Sequence, residues 1–163
     1  MCGICGEIRF DNTSINRQTA KKMIDAVARR GPDNEGLFFQ KQLFFGHRRL
    51  SVIDVTEKSH QPMTDHSLNI TIVFNGVIYN YKELRNTLQK EGYKFFSDGD
   101  TEVVLKSYHF FGEKCIDHFD GVFAFCIYDG NKRKLFLSRD RLGIKPLYYS
   151  SDSNYFRFSS TTK

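Results

Sequence analysis

The chain has 163 residues, 40% hydrophobic and 26% charged, with a formal net charge of +5. That is the length of one domain with one sizeable core, and only 3 Pro and 12 Gly argue against a disordered or collagen-like chain. No apolar run approaches the ~18 residues of a membrane span. The N-terminus has no charged lead or apolar stretch of a signal peptide, and the scattered basic residues, with Lys132-Arg133-Lys134 the longest run, argue against a nucleic-acid partner.

Residues 3–10 read as a first strand. Residues 16–30 read as a helix, with Ala20, Met23, Ile24 and Val27 at helical spacing and Gly31-Pro32 as its stop. Residues 36–39 and 43–47 read as a hairpin, and 68–74 as a strand of apolar and β-branched side chains. A second helix is expected over 80–91, where Asn80 and Glu83 match a capping box, Leu84 and Leu88 share a face, and Gly92 ends it. A third is expected over 100–111, with Val104, Leu105, Tyr108 and Phe111 inward and Gly112 at its end. Residues 122–128 are apolar on both faces, and Asp129-Gly130 turns the chain into Leu135-Phe136-Leu137. Residues 146–150 and 155–159 are short late strands. Strands apolar on both faces need cover on both sides, and several connections are too short for crossovers. The expected fold class is therefore α+β, with two packed sheets and helices outside each.

Cys2-x-x-Cys5 has the spacing of a redox pair or a zinc half-site, but no second pair at zinc spacing follows. Cys5, Cys115 and Cys126 read as packing residues, in keeping with a reducing, cytoplasmic location. Histidines 47, 60, 66, 109 and 118 form no i, i+4 pair, so no metal is expected. Neither Gly-rich phosphate-binding pattern occurs, so no cofactor is expected in this domain.

Cys2 stands directly after the initiator Met. Removal of Met1 would place a thiol (pKa about 8.5) and a free α-amine (about 7.7–8.0) on one carbon, so that the amine acts as base for its own side chain. Position alone leaves two readings, this N-terminal nucleophile and an ordinary strand cysteine behind a retained Met1.

Six segments bear on that choice. They are Cys2-Gly3-Ile4, Arg30-Gly31-Pro32-Asp33, the run from His47 through Arg49-Leu50-Ser51-Val52-Ile53 to Asp54, Asn75-Gly76-Val77-Ile78-Tyr79-Asn80, Asp100-Thr101-Glu102-Val103, and the run from Arg139-Asp140 through Lys145-Pro146 to Tyr149. Together and in this order, the sequence resembles the class II glutamine amidotransferase domain. It is most similar to the N-terminal glutaminase half of glutamine-hydrolysing asparagine synthetases, over the whole of 1–163. The resemblance implies the N-terminal-nucleophile hydrolase fold, a four-layer αββα sandwich. It implies hydrolysis of L-glutamine to glutamate and ammonia through a Cys2 thioester, with ammonia passed to an ATP-dependent synthetase.

By that resemblance Cys2 is the nucleophile, and Asn75 with the Gly76 N–H forms the oxyanion hole. Read alone, Asn-Gly marks a turn. Arg49 is expected on the substrate α-carboxylate, to which a guanidinium is suited. Leu50, Ser51, Val52 and Ile53 are expected to line the pocket. Asp100 is expected on the α-ammonium, with a helix N-cap as its plainer role. Val77 departs from the Glu usual in asparagine synthetases. It removes a second acceptor for the α-ammonium, and it leaves room for a non-asparagine acceptor such as a sugar or cell-surface precursor, or for a catalytically silent partner-binding module. Asp140 and Lys145 fall in a motif read as structural. Ser159-Ser160 runs into Thr161-Thr162-Lys163 where the family continues with Glu-Ile-Lys and a synthetase domain. ATP and magnesium are therefore expected only in a separate synthetase domain or subunit, and a homodimer is left open.

Overall fold

The computed structural model describes every residue except Val52, Val55 and Lys163. In chain order its elements are β1 (Gly3–Arg9), α1 (Arg17–Ala26), β2 (Asn34–Gln40), β3 (Leu43–Arg49), β4 (Met63–Asp65), β5 (Ile70–Ile78), α2 (Tyr81–Lys90), α3 (Asp100–Phe111), β6 (Gly121–Asp129), β7 (Lys134–Arg139), β8 (Tyr148–Ser151) and β9 (Tyr155–Ser159), with short 3-10 turns at Ala28–Arg30, Glu57–Ser59 and Gly112–His118. One sheet runs β2-β3-β1-β9-β8 and the other β4-β5-β6-β7, with neighbours antiparallel in both.

The layers follow from the period of two along each strand. In β1 Ile4 faces the other sheet while Cys5 faces α1, and in β3 Phe45 and Phe44 divide in the same way. In β5 Val73 faces the first sheet while Ile72 and Phe74 face α2 and α3. In β6 Ala124 and Cys126 face inward, opposite to Phe123, Phe125 and Ile127. Three apolar cores result. One lies under α1, one between the sheets, and one under α2 and α3. This is the four-layer αββα arrangement expected from strands apolar on both faces.

Several local expectations change. The first helix stops at Ala26, with Val27 as its C-cap, and the chain finishes in the 3-10 turn. At its other end the Asn16 side chain caps the helix, accepting from the Gln18 and Thr19 N–H groups. The capping box at Asn80 does not form. Asn80 instead donates to the His118 carbonyl and accepts from the Asp120 N–H, so a tertiary bridge takes its side chain away from the helix. Gly92 and Gly112 end their helices at φ +90 and +64, where only glycine is free of strain. Cys5, Cys115 and Cys126 are buried and free, as packing residues should be.

The largest change concerns Asn75-Gly76, which lies inside β5 rather than in a turn. Gly76 sits opposite Phe123. A Cβ there would stand 2.5 Å from the Val122 carbonyl oxygen and 2.7 Å from the Phe123 Cα. The glycine lets β5 and β6 stay paired at this point.

Candidate functional site

The same period of two that builds the cores assembles the site. Cys2 continues the inward row of Ile4, Arg49 continues that of Phe45 and His47, and Asn75 and Val77 continue that of Val73. The register of Gly3 opposite Arg48 places Cys2 beside Arg49. The apolar rows thus turn polar at one end of the gap between the sheets. There a cavity of about 150 Å³ is lined by Cys2, Arg49, Leu50, Ile53, Asn75, Gly76, Val77 and Asp100, together with Met1, Ser59, Gln61, Phe74, Gly99, Thr101 and Lys145.

Of the expected residues, Ser51 is not brought to this cavity. Its N–H donates to Asp33 (2.8 Å), which fixes the loop from outside. Val52 lies outside the described residues. Asp100 is not the N-cap of α3, because Gly99 holds that position. The buried Asp100 carboxylate accepts instead from the Ile78 N–H at 3.0 Å. Burial raises its pKa above the ordinary value, against hydrogen bonds from Ile78, its own N–H and Thr101, and no cation is paired with it among the described residues.

Cys2 Sγ accepts from the Leu50 N–H at 3.3 Å. Burial raises its thiol pKa. The Leu50 N–H, the chain's amino terminus, Arg49 and Lys145 all act in the opposite direction. Met1 lines the cavity with Cys2, and its sulfur accepts from Lys145 Nζ at 3.4 Å. Arg49 is buried, and its guanidinium donates to the carbonyls of Thr56 (3.0 Å) and Asp54. Of its five N–H donors, others remain for the cavity. Asp54 shapes this loop, accepting from the Thr56 N–H and hydroxyl, the Ser59 hydroxyl and the Asp98 N–H. Burial works against its ionised form, but those bonds prevail and hold the carboxyl far below its usual range.

The edge of β5 is the central feature. Tyr79 and Gly130 donate to Asp120 and Asn69 across the β5–β6 pair, so odd-numbered residues of β5 bond β6 and even-numbered ones point away. β4 covers that outer edge only as far as Ile72. Beyond it, Gln61 Oε1 accepts the Phe74 N–H (2.6 Å), the neutral His47 ring bonds the Phe74 carbonyl (3.3 Å), and Asp100 accepts the Ile78 N–H. Complete burial pushes the His47 pKa down to about 3, so it serves as a neutral donor. Gly76, between Phe74 and Ile78, turns its N–H to this open edge beside the cavity. Next to it Asn75 is 2% exposed, and its Nδ2 has no partner among the described residues. A buried unpaired donor costs about 1–3 kcal/mol. Two fixed donors side by side at a nucleophile can stabilise a developing negative charge.

Gln61, Ser59, Thr101 and Lys145 were not legible as cavity residues. Gln61 and Ser59 belong to none of the motif segments, and Lys145 falls in a motif read as structural. Among the described residues no cluster of three or more His, Cys, Asp or Glu is placed to hold a metal ion, and no helix is long and apolar enough to cross a membrane.

Comparison with known proteins supplies a family for this arrangement. The glutamine amidotransferase domain matches residues 1–163. Glutamine-hydrolysing asparagine synthetase 3 of Bacillus subtilis (strain 168) is 40% identical over 166 residues, covering 100% of this chain and 27% of that protein. Glutamine-hydrolysing asparagine synthetase 1 of the same organism is also 40% identical over 166 residues, covering 100% and 26%. The chain thus spans about a quarter of the length of these relatives. Among solved structures, the glutamine phosphoribosylpyrophosphate amidotransferase of B. subtilis superposes with a TM-score of 0.79 over 98% of this chain and 42% of that one, at 17% identity, a likeness of fold.

Proposed function

Because the chain belongs to the glutamine amidotransferase domain family, we propose that this cavity hydrolyses L-glutamine and that the ammonia serves an ATP-dependent asparagine synthetase domain. The observation that carries the reading is Asn75 Nδ2, a buried donor without a partner among the described residues, in the same cavity as Cys2. Such a donor is costly in the free protein and is repaid when an oxyanion forms against it.

In this reading, loss of Met1 frees the Cys2 α-amine. The amine takes the thiol proton as Sγ attacks the side-chain amide carbon of glutamine. The carbonyl oxygen becomes an oxyanion between Asn75 Nδ2 and the Gly76 N–H. When the tetrahedral species collapses, the C–N bond breaks and the amine's proton goes to the leaving nitrogen. Ammonia departs and a γ-glutamyl thioester remains on Cys2. Water, deprotonated by the same amine, attacks the thioester carbon, and glutamate leaves as Cys2 recovers its proton. Arg49 holds the α-carboxylate and Asp100 the α-ammonium, so the substrate's zwitterion matches the cavity's opposed charges. Leu50, Ile53 and Val77 wall the aliphatic stem.

ATP and magnesium belong to the synthetase domain in this reading, and no step here passes through them. Val77 supports a second reading in which the ammonia acceptor is not aspartate, because the acceptor atom of a Glu is missing from the α-ammonium side. A cytoplasmic location and a homodimer are part of the proposal, to be checked by fractionation and light scattering. The central test measures glutamate release from glutamine by protein whose intact mass confirms loss of Met1. Release that vanishes in Cys2→Ala supports the reading. No release from the processed protein, with an ammonia-accepting domain present, overturns it.

A further inference from the structure

Among the described residues, Lys145 is the one cavity-lining cation that the preceding reading leaves without work. It lines the same cavity as Cys2, Asn75 and Asp100, and its ammonium reaches the sulfur of Met1, the residue that precedes Cys2. Its position is built rather than incidental. The Asp140 carboxylate accepts from the N–H groups of Phe123 (3.3 Å), Ile144 (2.8 Å) and Lys145 (3.0 Å), and the Asp140 N–H donates to the Phe123 carbonyl (2.7 Å). One buried carboxylate thereby clamps the loop 143–146 onto β6. Burial disfavours ionised Asp140, yet those N–H groups outweigh it and keep the pKa below its ordinary value, so the clamp stays charged and closed at neutral pH.

We propose that Lys145 is a further electrostatic residue of the site, held by Asp140 so that its ammonium favours the thiolate of Cys2 over the thiol. The inference rests on the glutaminase reading and deepens it. Lys145 keeps its own proton throughout and forms no covalent bond. The other charged groups around the thiol are Arg49 from β3, Arg30 from the turn after α1, whose Nε bonds the Cys2 carbonyl at 3.1 Å, the terminal amine, and Asp100 across the cavity on α3. Arg49 and Asp100 are spoken for by the substrate's own charges. Bound glutamine therefore neutralises them, and Lys145 remains in the cavity as a cation that the substrate does not engage, with Arg30 held at the Cys2 carbonyl. Asp140 acts through Lys145 and is a positioning residue.

The test follows Cys2 alkylation by iodoacetamide against pH in processed protein, a readout that needs no glutamine turnover. Peptide mapping assigns the label to Cys2. Lys145→Met and Lys145→Gln should move the profile up by about one pH unit, the size expected for loss of one nearby opposite charge. Lys145→Arg should restore most of it. The kcat profile for glutamate release should shift in the same direction, with KM little changed. Circular dichroism confirms that each variant is folded. Unmoved alkylation profiles in both neutral variants overturn the proposal. So does a rise in KM with kcat and its pH profile unchanged, which would make Lys145 a substrate-binding residue. A shifted alkylation profile in a protein that releases no glutamate would sustain the electrostatic role while the glutaminase reading fails.

Discussion

The two halves of β5 face their surroundings differently. Residues 70–72 are paired on both edges, to β4 and to β6. Residues 74–78 keep β6 on one edge, while on the other they meet side chains: Gln61 and His47 at Phe74, and Asp100 at Ile78. The change comes where the antiparallel register of β4 would place residue 61 opposite Phe74. There Gln61 continues the ladder with its side-chain oxygen instead of its backbone. A ladder closed by strand pairing uses every donor. One closed by separate side chains leaves a gap between them, and Gly76 with Asn75 occupies that gap. In the proposed reading, chemistry arises where a sheet edge is capped incompletely between flanks that are themselves hydrogen-bonded.

Breaking the gap should have the largest effect. Asn75→Ala should lower kcat for glutamate release by about 10²–10³, with a thermal midpoint no lower than the parent, because the lost Nδ2 donor has no partner among the described residues. Steady-state kinetics and calorimetry on one preparation check both halves. A kcat within a few-fold of the parent would remove Asn75 from the oxyanion hole.

Filling the adjacent wall comes next. Val77→Glu restores a charged acceptor toward the α-ammonium, worth roughly 1.5–3 kcal/mol, and should lower KM for glutamine about ten- to a hundredfold. An unchanged or higher KM would refute this account of Val77.

Loosening a flank should give the opposite signature to Asn75→Ala. Gln61→Leu strips the acceptor from the Phe74 N–H and the donor from Thr101 Oγ1. It should cost about 1–3 kcal/mol of stability in denaturant unfolding, with the fall in kcat secondary. Full stability with lost activity would mean that Gln61 acts on substrate rather than on the strand.

The smallest effect is a pH dependence at the other flank. The Asp100 pKa is raised in the folded protein, so the free protein gains stability from this group as pH falls through that raised value toward the unfolded value of about 3.9. Glutamine should require the ionised form. In a Cys2→Ala background its stabilising effect should therefore decline over that same window, above the ordinary carboxyl range. The difference in thermal midpoint with and without glutamine isolates this from Asp54 and Asp140, whose lowered values act the other way. In Asp100→Asn the difference should be small and flat with pH.

Much of the molecule is legible without coordinates. The double-faced apolar runs at 68–74 and 122–128 demand cover on both sides, which is already the statement that two sheets are sandwiched by helices. The residues proposed to carry the chemistry are legible as types: a thiol that can become N-terminal, an amide next to a glycine, an arginine and an aspartate. Local rules fail where tertiary partners outbid them. Asn80 matches a capping box but bridges to His118 and Asp120. Asn75-Gly76 has turn chemistry, yet it continues a strand because nine residues of β6 lie against it. Ser51 stands among pocket residues in sequence, but Asp33 draws its N–H the other way.

What the sequence by itself determined is the layered fold, since burial period is a property of each strand alone, and the set of reactive groups, since chemistry belongs to side-chain type. Only the tertiary structure decided which of those groups share a cavity, and that Gln61, Asp54, Asp140 and Lys145 belong with them. The bonds that tie Gln61, Asp54 and Asp140 to other elements span 13 to 44 residues. Contacts of that separation have no periodic or local signature, because they exist only once the sheets have closed on each other.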